Sequence, residues 1–289
     1  MNTVTKNKPA FTMLEMIFVI LILGIVSSIG AEIIANVYKS YIIERATHRS
    51  GIKTELAATQ IANRLAYSIP GTVIGKRKSN STYKAIDNLD ANDYDILEWI
   101  GYDNDSFAAT KVPGWSGFID LDASSSTSLK TNGSKLKITN KIIRNLSYKT
   151  KNLNGSALFF PSLYNVDNIG YNGNTNGIVE VTNNDTSDSI SIEDITGKTI
   201  KEHYKLAWSA YALVPTDNGD GTFDLTLYYN YRPWKGESYN NGKSSVLIRN
   251  ISVFKFVGSE NTIRFKICQQ EKITNDSKIT ICKEKAVIR

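Results

Sequence analysis

The chain has 289 residues, of which 41% are apolar, enough to build a packed core and to exclude a wholly disordered protein. Its formal charge of +6 comes from 34 basic and 28 acidic side chains scattered along the sequence. No basic stripe tracks a phosphate backbone, so nucleic acid is not an expected partner. The two cysteines, Cys268 and Cys282, and the two histidines, His48 and His203, lie far apart, and a four-ligand zinc site built from Cys and His alone would need all of them.

From Phe11 to Ala31 the chain reads FTMLEMIFVILILGIVSSIGA, 21 residues with one charge, Glu15. That length crosses a bilayer. The Ile, Leu, Phe and Val side chains between Ile17 and Val26 favour insertion by roughly 3 to 5 kcal/mol, against about 2.5 to 3.5 for a charge at the centre. Glu15 lies near the end of the run, where the cost is smaller, so insertion is expected. Two plainer readings are a secretory signal peptide cut within Ser28–Ala31 and a simple signal anchor. Both predict an uncharged apolar core, which Glu15 interrupts.

No proline occurs between Phe11 and Ile69. Ile34, Tyr38, Tyr41, Ile42, Ile52, Leu56, Ile61, Leu65 and Ile69 keep mostly three- and four-residue spacings, which predicts an amphipathic helix continuing outward from the apolar run. Pro70-Gly71 is its expected stop, because the residue before proline is pushed out of the helical region. A helix from about Thr12 to Ile69 would be about 87 Å long, with one end in lipid and the other in water.

Lys8-Pro9-Ala10-Phe11-Thr12-Met13-Leu14-Glu15-Met16-Ile17 resembles the class III signal of type IV prepilins and type II secretion pseudopilins. The shared features are a short basic leader, a small residue, Phe, and Glu five positions into the mature chain. The specific likeness covers Lys6 to Ala31. It implies cleavage between Ala10 and Phe11 by a prepilin peptidase, N-methylation of Phe11, and a role for Glu15 in assembly through the N-terminal amine of a neighbouring subunit. It also implies a single-pass protein of the bacterial inner membrane, with its N-terminus cytoplasmic and its bulk periplasmic. Its partners would then be other pilin or pseudopilin subunits and an inner-membrane assembly platform. Two positions depart from the pattern: Ala10 stands where glycine is usual, and Glu32 where many major pilins carry a kinking proline.

The segments are therefore a leader (1–10), a transmembrane and assembly half of the helix (11–31), its amphipathic half (32–70) and an exported β-rich domain (71–289). The expected fold is α+β and pilin-like, the long helix packed on an antiparallel sheet with long polar loop insertions. From Gly71 to about Ser189 the chain is rich in Asn, Ser, Thr, Asp and Gly. Short apolar runs at Tyr94–Ile100, Leu136–Ile143, Ala157–Phe160 and Ile178–Val181 read as strands between those loops.

The pattern then sharpens. Tyr204, Leu206, Trp208, Ala210, Ala212 and Val214 alternate with more polar residues, as do Phe223, Leu225, Leu227, Tyr229 and Tyr231, which predicts a half-buried antiparallel hairpin turning at Thr216–Thr222. Val246–Ile248, Ile251–Phe256, Thr262–Ile267 and Ile279–Cys282 are further expected strands. A hairpin centred near Asn275 would set Cys268 opposite Cys282 and Lys266 opposite Glu284. In an oxidising compartment a disulfide follows, and with 13 intervening residues it would contribute about 3 kcal/mol.

Other candidate sites are weaker. Gly236 to Ser244 has five residues between its glycines where a phosphate-binding loop has four, and a strand pattern follows it in place of a helix. Asp217, Asp220 and Asp224 are candidate calcium ligands, as some pseudopilins hold calcium in a loop, but their spacing is not that of an EF-hand. Tyr228, Tyr229, Tyr231 and Trp234 are a candidate platform for a partner or glycan, weighed against an ordinary half-core strand. No nucleophile elbow is present, no catalytic residue is expected, and no cofactor is implied beyond the calcium candidates.

The resulting expectation is a structural fibre subunit, and the size of the chain suggests a minor pseudopilin or minor pilin. The alternatives are a membrane-tethered periplasmic binding domain that does not polymerise, and a membrane-anchored hydrolase.

Overall fold

The computed structural model describes residues 12–89, 94–109, 111–182, 187–196, 198–259, 261–274 and 277–288. Ala10, Phe11 and the expected turn residue Asn275 lie outside them. In chain order the elements are α1 (Met13–Leu65), β1 (Ile74–Lys76), β2 (Tyr83–Ala85), β3 (Ile96–Gly101), α2 (Asn104–Phe107), β4 (Ser128–Lys130), α3 (Leu136–Leu146) and β5 (Ala157–Phe159). There follow β6 (Ile178–Glu180), β7 (Ser189–Ser191), β8 (Lys205–Ala207), β9 (Ser209–Asp217), β10 (Phe223–Tyr231), β11 (Lys243–Ser259), β12 (Thr262–Lys272) and β13 (Lys278–Ile288).

The chain forms two compact units: one runs up to Arg49 and takes in Glu271–Ile279, and the other holds Ser50–Gln270 with Thr280–Arg289. In the first unit, Arg49 pairs with Glu271 at 3.1 Å. None of residues 12–49 is buried.

The second unit is built on an eight-stranded sheet in the order β13-β12-β11-β10-β9-β3-β1-β2. Pairing is antiparallel wherever the register is defined, as in Trp99 opposite Tyr211 and Leu227 opposite Leu213. One face packs on the C-terminal turns of α1, where Ala57, Ala58, Ile61 and Leu65 meet Leu97, Trp99, Leu213, Leu225 and Phe265. The other face carries Ile96, Ile100, Ala210, Ala212 and Tyr231, covered by Ile69, Phe159, Ile178 and Trp234. All six residues of β3 are buried, as expected of a strand covered on both faces.

The region from 104 to 208 has its own core, in which Trp115, Ile119, Leu129, Leu136, Ile143, Phe160 and Leu206 come together. It holds a three-stranded sheet, β6-β5-β8, and a two-stranded one, β4-β7. The expected polar insertions are therefore a packed layer. Three expected elements differ in detail. Leu136–Ile143, read as a strand from its short apolar run, is helical in α3, with Leu136, Thr139 and Ile143 on the buried side at three- and four-residue spacing. The Tyr204–Val214 run breaks at Trp208 and serves two sheets through β8 and β9. Val246–Phe256 is one continuous strand, β11, whose register shifts near Asn250, at φ 58°.

Cys268 and Cys282 form a disulfide between the neighbouring strands β12 and β13. The anticipated Lys266–Glu284 ion pair is not among those of the described residues; Lys283 and Lys285 reach instead to Glu55 on α1, at 3.5 and 2.5 Å. A Cys268→Ser, Cys282→Ser double variant should lose about 3 kcal/mol in urea unfolding. Unchanged stability would mean that packing alone fixes the last strand.

Two buried carboxyls stand out. Glu98, in β3, accepts a hydrogen bond from the Tyr231 hydroxyl at 2.8 Å and lies 3.9 Å from the Lys76 ammonium; burial raises its pKa. Asp103 caps α2 by accepting from the Ser106 amide at 3.2 Å, and burial pushes it from 3.8 up to about 6. Because the folded-state pKa is raised, the stability contributed by Asp103 is intact below about pH 4 and is lost as pH rises through about 6. Between those limits the wild type should lose on the order of 3 kcal/mol relative to Asp103→Asn, whose cap does not titrate. Parallel pH–stability curves for the two proteins would contradict this.

Candidate functional site

The helix α1 presents two different surfaces. Over its first half it is apolar on every side: Ile17, Phe18, Ile20, Leu21, Leu23 and Val26 are all exposed. A helix apolar all round needs an apolar surrounding. The segment is long and apolar enough to cross a membrane, consistent with single-pass anchoring.

Further along, the two faces separate. The residues of α1 buried against the rest of the second unit are Ser50, Thr54, Ala57, Ala58, Ile61 and Leu65. Small side chains let the helix approach the sheet closely; Ser50 adds a polar tie to β12, and Thr54 satisfies its hydroxyl within the helix. The Ser50 hydroxyl donates to Gln269 Oε1 at 2.9 Å, and that of Thr54 to the Ser50 carbonyl at 2.7 Å. Ile52 and Leu56 point away, 48% and 58% exposed. At about 100° per residue, Ile52 and Leu56 lie roughly opposite the arc of the buried set, and within the first unit Ile34, Tyr38 and Tyr41 share a narrow arc of their own. Ile34, Tyr38 and Tyr41 are exposed too. The single stripe expected from Ile34 to Ile69 therefore divides: Ile61 and Leu65 meet the sheet, Ile52 and Leu56 form a second, outward stripe, and Ile69 lies beyond the end of α1 on the other face of the sheet.

Glu15 sits in the first turn of α1. Its backbone N–H donates to Thr12 Oγ1 at 3.3 Å, while the Thr12 N–H and hydroxyl both donate to Glu15 Oε2 at 3.4 Å. This reciprocal pattern is a capping box, satisfying two backbone donors that a helix start leaves orphaned. The Thr-x-x-Glu spacing was legible in the sequence, and it gives Glu15 a local use that a plain anchor helix would also have.

The remaining sequence candidates disperse. Asp217 accepts from the Gly219 amide at 3.0 Å, Asp220 accepts from the Thr222 amide at 3.0 Å, and Asp224 pairs with Arg249 at 2.6 Å. Gly219 and Gly221 supply the positive φ of that turn, at 80° and 82°. No group of three or more His, Cys, Asp or Glu among the described residues is placed to hold a metal ion. Of the aromatic set, Tyr231 and Trp234 are core residues, and the Trp234 indole donates to the Gly155 carbonyl at 2.9 Å. Only Tyr228 and Tyr229 remain half exposed, so no four-residue platform forms.

No family model, curated protein or solved structure matches the chain. The functional reading therefore rests on the helix and on the residues around Glu15.

Proposed function

We propose that this chain is a fibre subunit of a type II secretion pseudopilus or type IV pilus-like assembly, trimmed between Ala10 and Phe11, N-methylated at Phe11 and packed through α1. The observation that carries the reading is the second apolar stripe. A tether needs an apolar span, but neither the exposed Ile34, Tyr38 and Tyr41 that follow it nor Ile52 and Leu56 pointing away from the sheet. Such a stripe suits burial against the helices of other subunits. A mature chain of this size, with a packed extra layer, would crowd a helical fibre at every step, which favours a minor subunit. Assembly would begin in the inner membrane, with the leader cytoplasmic and the sheet on the far side.

The second reading is a membrane-tethered periplasmic domain that does not polymerise. The Thr12–Glu15 capping box favours it, because it accounts for the acidic residue without a neighbour. The first test is the N-terminus of the protein extracted from membranes, expected to be N-methylated Phe11.

A further inference from the structure

A cavity of about 360 Å³ opens where α2, the turn at Trp115–Gly117, Pro161 and the start of β8 meet. Its walls are aromatic. The Phe107 and Trp115 rings lie 4.9 Å apart and tilted by 53°, Trp115 and Tyr204 are 5.6 Å apart, and Tyr102 meets Trp115 edge-on. The walls are also fixed: the Trp115 indole donates to the Asp103 carbonyl at 2.8 Å, and the Tyr204 hydroxyl bonds Thr131 Oγ1 at 2.9 Å. A preformed apolar cleft with few polar groups is the usual form of a small-molecule site.

Three polar side chains at this cleft, Asn104, His203 and Lys205, make no side-chain hydrogen bond or ion pair with the described residues. Lys205 is the informative one. Its ammonium lies 4.7 Å from the centre of the Tyr102 ring, and no carboxylate of the described residues lies within 4.0 Å of it. Elsewhere in the same unit, Lys130, Lys151 and Lys235 pair with Asp188, Glu237 and Glu180. Partial burial lowers the Lys205 pKa, so an anion beside it would recover part of the lost hydration.

We propose that this cavity binds a carboxylate carried on a planar apolar group, the ring lying against the aromatic wall that Phe107 and Trp115 form together and the carboxylate meeting Lys205, with Asn104 and His203 as further donors. A single cation suits a monoanion; a phosphate would call for several donors converging on it. The apolar walls disfavour a ligand with hydroxyls all round, whose polar groups would be left unpaired. The same chemistry is offered by a free aromatic acid and by the C-terminal phenylalanine of a peptide. The inference does not depend on fibre assembly.

Calorimetric titration of the full chain in detergent tests it with four probes: 3-phenylpropionate, its amide, the tripeptide Ala-Ala-Phe and the tripeptide C-terminal amide. At least one acid should bind saturably at millimolar concentration or below, and about tenfold or more tighter than its own amide, the effect of one charge-assisted contact. Whichever acid binds tighter identifies the source. Lys205→Met, which keeps the stem over Tyr102, should abolish the preference for acid over amide. Phe107→Ala, at a ring 42% exposed and so tolerant of removal, should weaken the acid and leave the melting temperature in place. The proposal is overturned if neither acid binds, if acid and amide bind alike, if Lys205→Met keeps the preference, or if Phe107→Ala binds as wild type does.

Discussion

Glu15→Gln should insert into the membrane at wild-type level and lose most of its incorporation into a fibre. Gln fills the third position of a capping box as Glu does, so the helix start held by Thr12 survives the change. What disappears is the negative charge. In the proposed assembly that charge meets the Phe11 amine of a neighbouring subunit, and removing one partner of a desolvated pair leaves the other uncompensated in an apolar setting. Glu15→Ala removes cap and charge together. Comparing the two variants by co-purification with the other fibre subunits separates the local role from the intermolecular one. If Gln incorporates normally and only Ala fails, capping accounts for Glu15 and the charge-pairing account is wrong. A subunit at the very tip lacks one axial neighbour and should show a milder version of the same loss.

The second large effect divides two leucines nine positions apart on one helix. Leu65 is 0% exposed, packed against the sheet, and Leu65→Ala should destabilise the second unit by about 2 to 5 kcal/mol through lost burial and the cavity left behind. Leu56, on the opposite arc and 58% exposed, contributes little to the isolated chain, and Leu56→Ala should stay within about 0.5 kcal/mol of wild type. In a fibre the ranking changes, because Leu56 would be buried against other subunits. Leu56→Ala and Ile52→Ala should therefore reduce incorporation at unchanged stability. Urea unfolding of the purified proteins, set beside recovery of each variant with its partner subunits, reads both quantities. A stable variant that assembles normally would remove the second stripe from the argument.

Much of this fold was legible in the residue pattern. A proline-free apolar run feeding a helix-period segment gave α1, and strict alternation around Asp217–Thr222 gave β9 and β10. The disulfide followed from two cysteines placed symmetrically about a turn sequence. What escaped had physical causes. The sheet-facing side of α1 is made largely of Ser50, Thr54, Ala57 and Ala58, which carry little hydrophobicity, so the larger Ile52 and Leu56 drew the periodicity to the wrong face. In α3, Ile138, Ile142 and Ile143 favour a strand by type while the spacing of the buried residues is helical, and packing against Trp115 and Phe160 decided it. Glu98 could not be read as buried, because its partners Tyr231 and Lys76 lie on other strands. The aromatic cavity draws on positions from 102 to 205, brought together only by the extra layer.

The intact mass and N-terminal sequence of the protein recovered from its native membrane decide whether the chain is processed as a fibre subunit. The recovered chain should start at Phe11 and carry one methyl group on its amine. A chain that still begins at Met1, or one cut near Ala31, would contradict a fibre subunit and leave a signal anchor or an ordinary signal peptide in its place.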